Sequence, residues 1–406
     1  MKRILIKILP YTILLISISS ILQWCTLPIG NTFLWWSLQS FISYIFFKLR
    51  PRGYTIIPIK LFLIYLIFSA LYGAIFMAEN YWDWKLLVNN LIVFSLPLAS
   101  LVFSRPVILS QLLKCWFKYA WIILIVLMPF LNSDAYGRFL VPFTLIALFL
   151  PLIPSKYKIF TIIAFLITTI LGSDSRSDML KFTVCVLLGV TLWIPHIWRS
   201  KKIALSITYS LLTLPVAFFI LGITNTFNIF NIEQELGLEN KFIMKSKNGN
   251  EYSALTDTRT FLYVEEIQSA IRNNYTLLGR SIARGYDSMA FGEGIDKAKG
   301  IKRGERESCE TSILNIFNYF GIIGVAIYFI IFAYASLTAV YKSKNIFIPI
   351  IAIYVAFRWL FAWIEDFSRF DLNYLFLWIL IGMCCSPIYR NMSNKEFRIW
   401  IKKIVQ

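Results

Sequence analysis

Apolar residues in this chain come in long, almost unbroken runs separated by short polar interruptions. A hydrocarbon core of roughly 30 Å asks for about 20 apolar residues per helix. Runs of that kind fall at approximately 5–25, 31–47, 54–76, 86–104, 115–131, 139–153, 159–172, 180–197, 203–224, 311–338, 346–363 and 372–388. The pattern predicts an all-α polytopic membrane protein of about 12 transmembrane helices. One hydrophilic segment, 225–310, is long enough to be a large loop, and its own periodicity predicts helix within it. The expected organisation is therefore 1–224 with helices one to nine, 225–310 as the loop, 311–388 with helices ten to twelve, and 389–406 as a basic tail. The first run is too long for a cleavable signal and lacks a small-x-small site.

Composition agrees with the pattern, and charge refines it. Of 406 residues, 58% are hydrophobic and only 15% charged, against about 25% charged in ordinary soluble domains. Mean hydropathy is +0.66. The formal net charge of +18 would suggest a nucleic-acid partner in a soluble chain. With the N-terminus inside and the spans alternating, however, 21 of the 40 basic residues fall on the cytoplasmic side, with Glu396 as the sole acid there. The excess is a positive-inside signal, so membrane lipid and not nucleic acid is the expected partner, with both termini cytoplasmic. The loop is almost neutral, with 12 basic and 13 acidic residues. Six scattered cysteines read as small buried hydrophobes, and the lone His196 lacks partners for a metal site. No cofactor and no metal are expected.

Polar motifs cluster on the opposite side. Ser173-Asp174-Ser175-Arg176-Ser177-Asp178 is a short turn between two spans. Its arginine and hydroxyls suit phosphate oxygens, although Arg176 pairing locally with Asp174 or Asp178 accounts for the turn equally. Thr256-Asp257-Thr258-Arg259 opens a helical stretch, Thr260–Leu278, with Phe261, Val264, Ile267 and Ile271 on one face. Asp257 or Thr258 can cap it, leaving Arg259 where backbone N–H groups favour anions. The alternative is an amphipathic helix on the bilayer with a snorkelling arginine. Arg280, Arg284 and glycines 285, 292 and 294 suggest a loop near a ligand, and the 302–307 run a solvated segment. Glu310, heading the tenth span, is a helix cap or, if desolvated, a general base. Glu365-Asp366-Phe367-Ser368-Arg369-Phe370-Asp371 is either a local ion-paired turn or part of the same site.

In this order the motifs resemble those of the O-antigen polymerase and O-antigen ligase group of bacterial membrane proteins. The resemblance rests on Ser175-Arg176-Ser177 after a span and on Arg259 ahead of Glu265-Glu266 and Ile271. It continues with Asn274-Tyr275-Thr276-Leu277-Leu278-Gly279, where the family often reads Asn-Pro-x-x-Gly-x-Gly, and with Glu310-x3-Leu314 before Gly321-Ile322-Ile323-Gly324. It covers roughly residues 170–330. Tyr275 stands in place of the proline and Ser281 in place of the second glycine. Ligase-like members often carry a His-Asn pair where this chain has Glu310, which tilts the resemblance toward polymerase.

The resemblance implies a large periplasmic loop in the bacterial inner membrane and metal-independent glycosyl transfer at its periplasmic face. The substrates would be oligosaccharides on undecaprenyl diphosphate, the growing glycan passing to the non-reducing end of a new lipid-linked repeat unit. Arg176 and Arg259, with Arg280 as a third and Ser175 and Ser177 beside them, would hold the diphosphate. Glu310, or else Asp366, would deprotonate the acceptor, and a chain-length regulator is a candidate partner. The alternatives are a ligase transferring polymer to lipid A–core, and a lipid-linked oligosaccharide flippase or transporter. A transporter should carry ionisable groups at depth, where this chain has only Lys60 and Arg358.

Overall fold

The computed structural model describes residues 2–27, 30–171, 176–224, 226–231, 243–245, 251–253 and 259–404. The described chain is helical nearly throughout. Its strands are two short antiparallel ribbons, Ile243–Lys245 with Glu251–Ser253 and Tyr286–Asp287 with Glu305–Arg306.

Among the described residues, six helical segments are long and apolar enough to cross a membrane: Lys2–Trp24, Ile57–Met77, Tyr81–Phe103, Pro106–Phe130, Lys201–Ile223 and Ser312–Lys342. Helix also occupies the other expected runs, but in shorter or less apolar pieces. The run 139–153 differs most: it breaks into Val141–Ala147 and a 3-10 turn, Leu150–Leu152. Pro142 and Pro151 each begin a new piece, because proline lacks the N–H and clashes with the preceding turn. The break is buried among other helices, where interrupted backbone is tolerated.

Exposure runs opposite to a soluble fold. Along Ile57–Tyr72, Ile57, Leu61, Ile64, Ile67, Phe68 and Leu71 face outward, while Ile59, Phe62, Leu66 and Ser69 face the bundle. Such a continuous apolar exterior needs lipid. At the centre, Leu372–Cys385 is buried on every side and Phe347–Phe361 in all but one residue. Both pack against Ser312–Lys342. Close approach is set by small residues: a Cβ on Gly382 would lie 2.4 Å from the Ser100 carbonyl oxygen.

The tail is an ordered element. Its helix Asn394–Ile404 buries Phe397, Trp400, Ile401 and Ile404, and Trp400 Nε1 donates to Ser110 Oγ at 2.8 Å. Lys395, Arg398, Lys402 and Lys403 remain exposed.

The long helix Ser312–Lys342 is interrupted at Gly321 (φ 64°, ψ −167°). The segment 275–281 crosses it there. Ile322 N donates to Thr276 O (3.0 Å), Ile323 N to Leu277 O (3.3 Å) and Arg280 N to Asn318 O (2.6 Å). The loop thus satisfies backbone groups that the break would otherwise leave unpaired, and pins itself to the bundle. Ser281 has φ 95°, a conformation natural to glycine.

Candidate functional site

The site is built around the turn that joins Phe347–Phe361 to Leu372–Cys385. A 15-residue helix ends at Ala362, and Asp371 restarts the chain by accepting Tyr374 N at 2.9 Å as an N-cap. Between them, residues 363–365 receive hydrogen bonds from three distant segments. Arg259 Nε donates to Ile364 O (2.6 Å) and Tyr263 OH to Trp363 O (2.6 Å). Ser177 Oγ donates to Glu365 Oε1 at 2.5 Å. Ser312 N donates to Glu365 O at 3.1 Å.

Beneath the turn lies a buried ion cluster. Lys181 Nζ sits 2.6 Å from Asp178 Oδ1 and 3.0 Å from Glu365 Oε2. Arg176, one residue before Ser177, opens the helix Arg176–Val190 and is exposed. Two motifs remote in sequence therefore meet on adjacent residues, Ile364 and Glu365. Ser173, Asp174, Ser175, Thr256, Asp257 and Thr258 lie outside the described residues.

Asp366 is buried. Its Oδ1 accepts Ser368 N (2.9 Å), Ser368 Oγ and Ser312 Oγ (3.3 Å), while Oδ2 has Arg369 Nε at 3.6 Å. Arg369 also donates to Gln23 Oε1 (2.8 Å). Arg138 stacks 3.8 Å from the Trp24 ring centre and lies 3.8 Å from Asp371 Oδ2. Burial pushes the Asp371 carboxyl above its usual range, opposed by the Arg138 charge. Asp366, Arg369 and Asp371 open onto a cavity of about 350 Å³.

The remaining candidates stand elsewhere. Arg280 lies 2.9 Å from Asp287 Oδ1 and 3.1 Å from Glu305 Oε1, and Glu305 also accepts from Arg284 (3.0 Å). Its charge is engaged inside the loop. Glu310 is exposed and pairs with Arg306 at 3.1 Å. It directly follows Cys309, whose N–H is accepted by Asn315 Oδ1 at 2.6 Å, a contact that pins the head of the helix.

The loop helix also departs from expectation. It spans Thr260–Arg272, ending earlier because Asn273 caps it and Asn274 turns to φ 55°. Its buried face is Leu262, Tyr263, Glu266, Ser269 and Ala270, while Phe261, Val264 and Ile271 are exposed. Helical spacing identified the apolar stripe but not its partner, and a stripe facing out of the protein fits the bilayer-lying alternative. Glu266 is fully buried with Oε2 lacking a hydrogen-bond partner. Burial raises its pKa well above the usual carboxylate range, against the Tyr275 hydroxyl and the Arg280 charge.

Lys181, Arg138, Gln23 and Trp24 escaped the sequence reading. Among the described residues, no three His, Cys, Asp or Glu side chains gather as a metal site. No family model matches the chain, and neither does any curated protein or solved structure.

Proposed function

We propose that this protein polymerises lipid-linked oligosaccharide repeat units, transferring the growing glycan from undecaprenyl diphosphate to the non-reducing end of a new repeat unit. The reading holds the protein in the bacterial inner membrane with twelve spans and the loop on the periplasmic side. The observation that carries it is the convergence of Ser177 and Arg259 on Ile364–Glu365, beside the exposed Arg176. Guanidinium forks suit diphosphate oxygens, and helix starts add backbone N–H groups.

The acceptor hydroxyl oxygen attacks the anomeric carbon of the donor's reducing-end sugar. The bond from that carbon to the diphosphate breaks, and undecaprenyl diphosphate leaves with the electron pair. Arg176 and Arg259 stabilise the charge that develops there, the role a metal ion fills in other transferases. Asp366 accepts the hydroxyl proton. It is favoured over Glu310 because it lines the cavity, whereas Glu310 is exposed and paired with Arg306.

The test is a deletion strain examined on a lipopolysaccharide gel. Core bearing a single repeat unit, with ladders restored by the wild-type chain, is the expected result. Bare core would instead identify a ligase, and an unchanged ladder would refute both.

A further inference from the structure

The cavity of about 350 Å³ opens between Ser19–Trp24, the helix Tyr81–Val93, the head of Ser312–Lys342 and the 366–371 turn. We propose that it is the acceptor-sugar subsite, taking the non-reducing-end monosaccharide of the incoming repeat unit. The inference rests on the glycosyl-transfer reading above and adds to it the group recognised and the residues that recognise it.

Charge separates this cavity from the diphosphate region. The three carboxylates of its lining, Glu307, Asp366 and Asp371, each pair with a cation, Lys299, Arg369 and Arg138, which leaves no excess positive charge to hold a diphosphate. An uncharged, hydroxyl-rich ligand suits it, since each sugar hydroxyl both donates and accepts. The walls supply matching groups: the carboxamides of Gln39 and Asn89 line the cavity and have no side-chain partner among the described residues. Both residues are half-buried, so their amides are within reach of a ligand that enters the cavity.

The apolar side of a sugar ring has a counterpart in Trp24, whose indole is held by Arg138 at 3.8 Å. Volume agrees: it sits at the small end of ligand pockets, roughly 300–1,000 Å³, and fits a sugar ring rather than a lipid chain. Reactivity agrees as well. Asp366 Oδ1 is saturated by serine donors, whereas Oδ2 meets Arg369 at 3.6 Å, too long for a good hydrogen bond. That oxygen retains capacity for a sugar hydroxyl.

The test uses the full chain in lipid nanodiscs and, as probe, the repeat-unit oligosaccharide freed of its lipid by mild acid. Binding is read by saturation-transfer NMR. The wild-type protein is expected to bind saturably, and Asn89→Ala and Gln39→Ala to weaken binding about tenfold, the size of one lost hydrogen bond. The isosteric Asn89→Asp and Gln39→Glu supply a second pair should the alanine variants misfold. Arg176→Ala is expected to bind the lipid-free probe as the wild type does. Unchanged binding in the folded cavity variants, or no binding by a wild-type chain that makes polymer, overturns the subsite. Cavity-dependent binding in a protein whose deletion leaves the ladder intact shows a saccharide site but overturns the polymerase reading and with it the acceptor role.

Discussion

Gly321→Ala is the substitution on which the architecture bears most heavily. The residue interrupts Ser312–Lys342 at φ 64°, a region that costs an L-residue roughly 1–2 kcal/mol. A Cβ there would lie 2.3 Å from Leu277 O, 2.4 Å from Leu277 C and 2.5 Å from Gly279 N. All three are backbone atoms, so no rotamer change relieves the contact. Segment 275–281 must withdraw, surrendering the bonds from Ile322 N, Ile323 N and Arg280 N, each worth about 0.5–1.5 kcal/mol net. The combined loss is on the order of 3–6 kcal/mol. The assay is thermal unfolding in detergent by size-exclusion fluorescence, paired with limited proteolysis of the loop. The expected result is a lowered melting temperature with accelerated cleavage between 259 and 310. Gly294→Ala is the control, since nothing lies within 4 Å of its added Cβ, and it should be neutral or slightly stabilising. Wild-type melting and protease resistance in Gly321→Ala would refute the loop-to-helix clasp.

Four further expectations follow from the same geometry. Lys181→Met strands Asp178 and Glu365 without their shared cation and should destabilise by about 3–5 kcal/mol; adding Glu365→Gln should recover part of it in the same melting assay. Glu266 has a raised folded-state pKa, so its contribution is complete below the ordinary value of about 4.3 and is lost as pH rises through the folded value. Glu266→Gln should therefore melt above the wild type at neutral and alkaline pH by a margin that grows with pH, and parallel melting curves from pH 5 to 9 would contradict this. Asp366→Asn should lower polymer formation by about 10²–10⁴-fold, the range of a lost general base. Glu310→Gln, which disturbs an exposed ion pair, should stay within tenfold with a stability change under about 1 kcal/mol.

How far the sequence foretold this molecule differs from element to element. Helix appears wherever an apolar run was found, because hydrophobic length alone records it. Breaks inside those runs did not show: Pro142 and Pro151 sit in an apolar stretch whose hydropathy is unaffected by them. The turn at 365–371 was visible as a knot of charges. Its partners were not, since Ser177 and Lys181 reach Glu365 across more than 180 residues, and no local spacing encodes that pairing. The outward-facing stripe of Thr260–Arg272 has the same origin. Phe261, Val264 and Ile271 form an apolar stripe at helical spacing, but periodicity does not say whether protein or lipid covers it. Gly279 and Gly321 were read as separate motif positions, and only the fold brings each Cβ site against the other's backbone.

Whether this chain by itself joins lipid-linked repeat units is tested by reconstitution. Purified protein in proteoliposomes is supplied with undecaprenyl-diphosphate-linked repeat units and nothing else. A polymer ladder is expected, with one undecaprenyl diphosphate released per new glycosidic bond, and both are lost in Arg176→Ala and Arg259→Ala proteins that remain folded. Unchanged substrate with the wild-type chain, or undiminished ladders from both arginine variants, would contradict it.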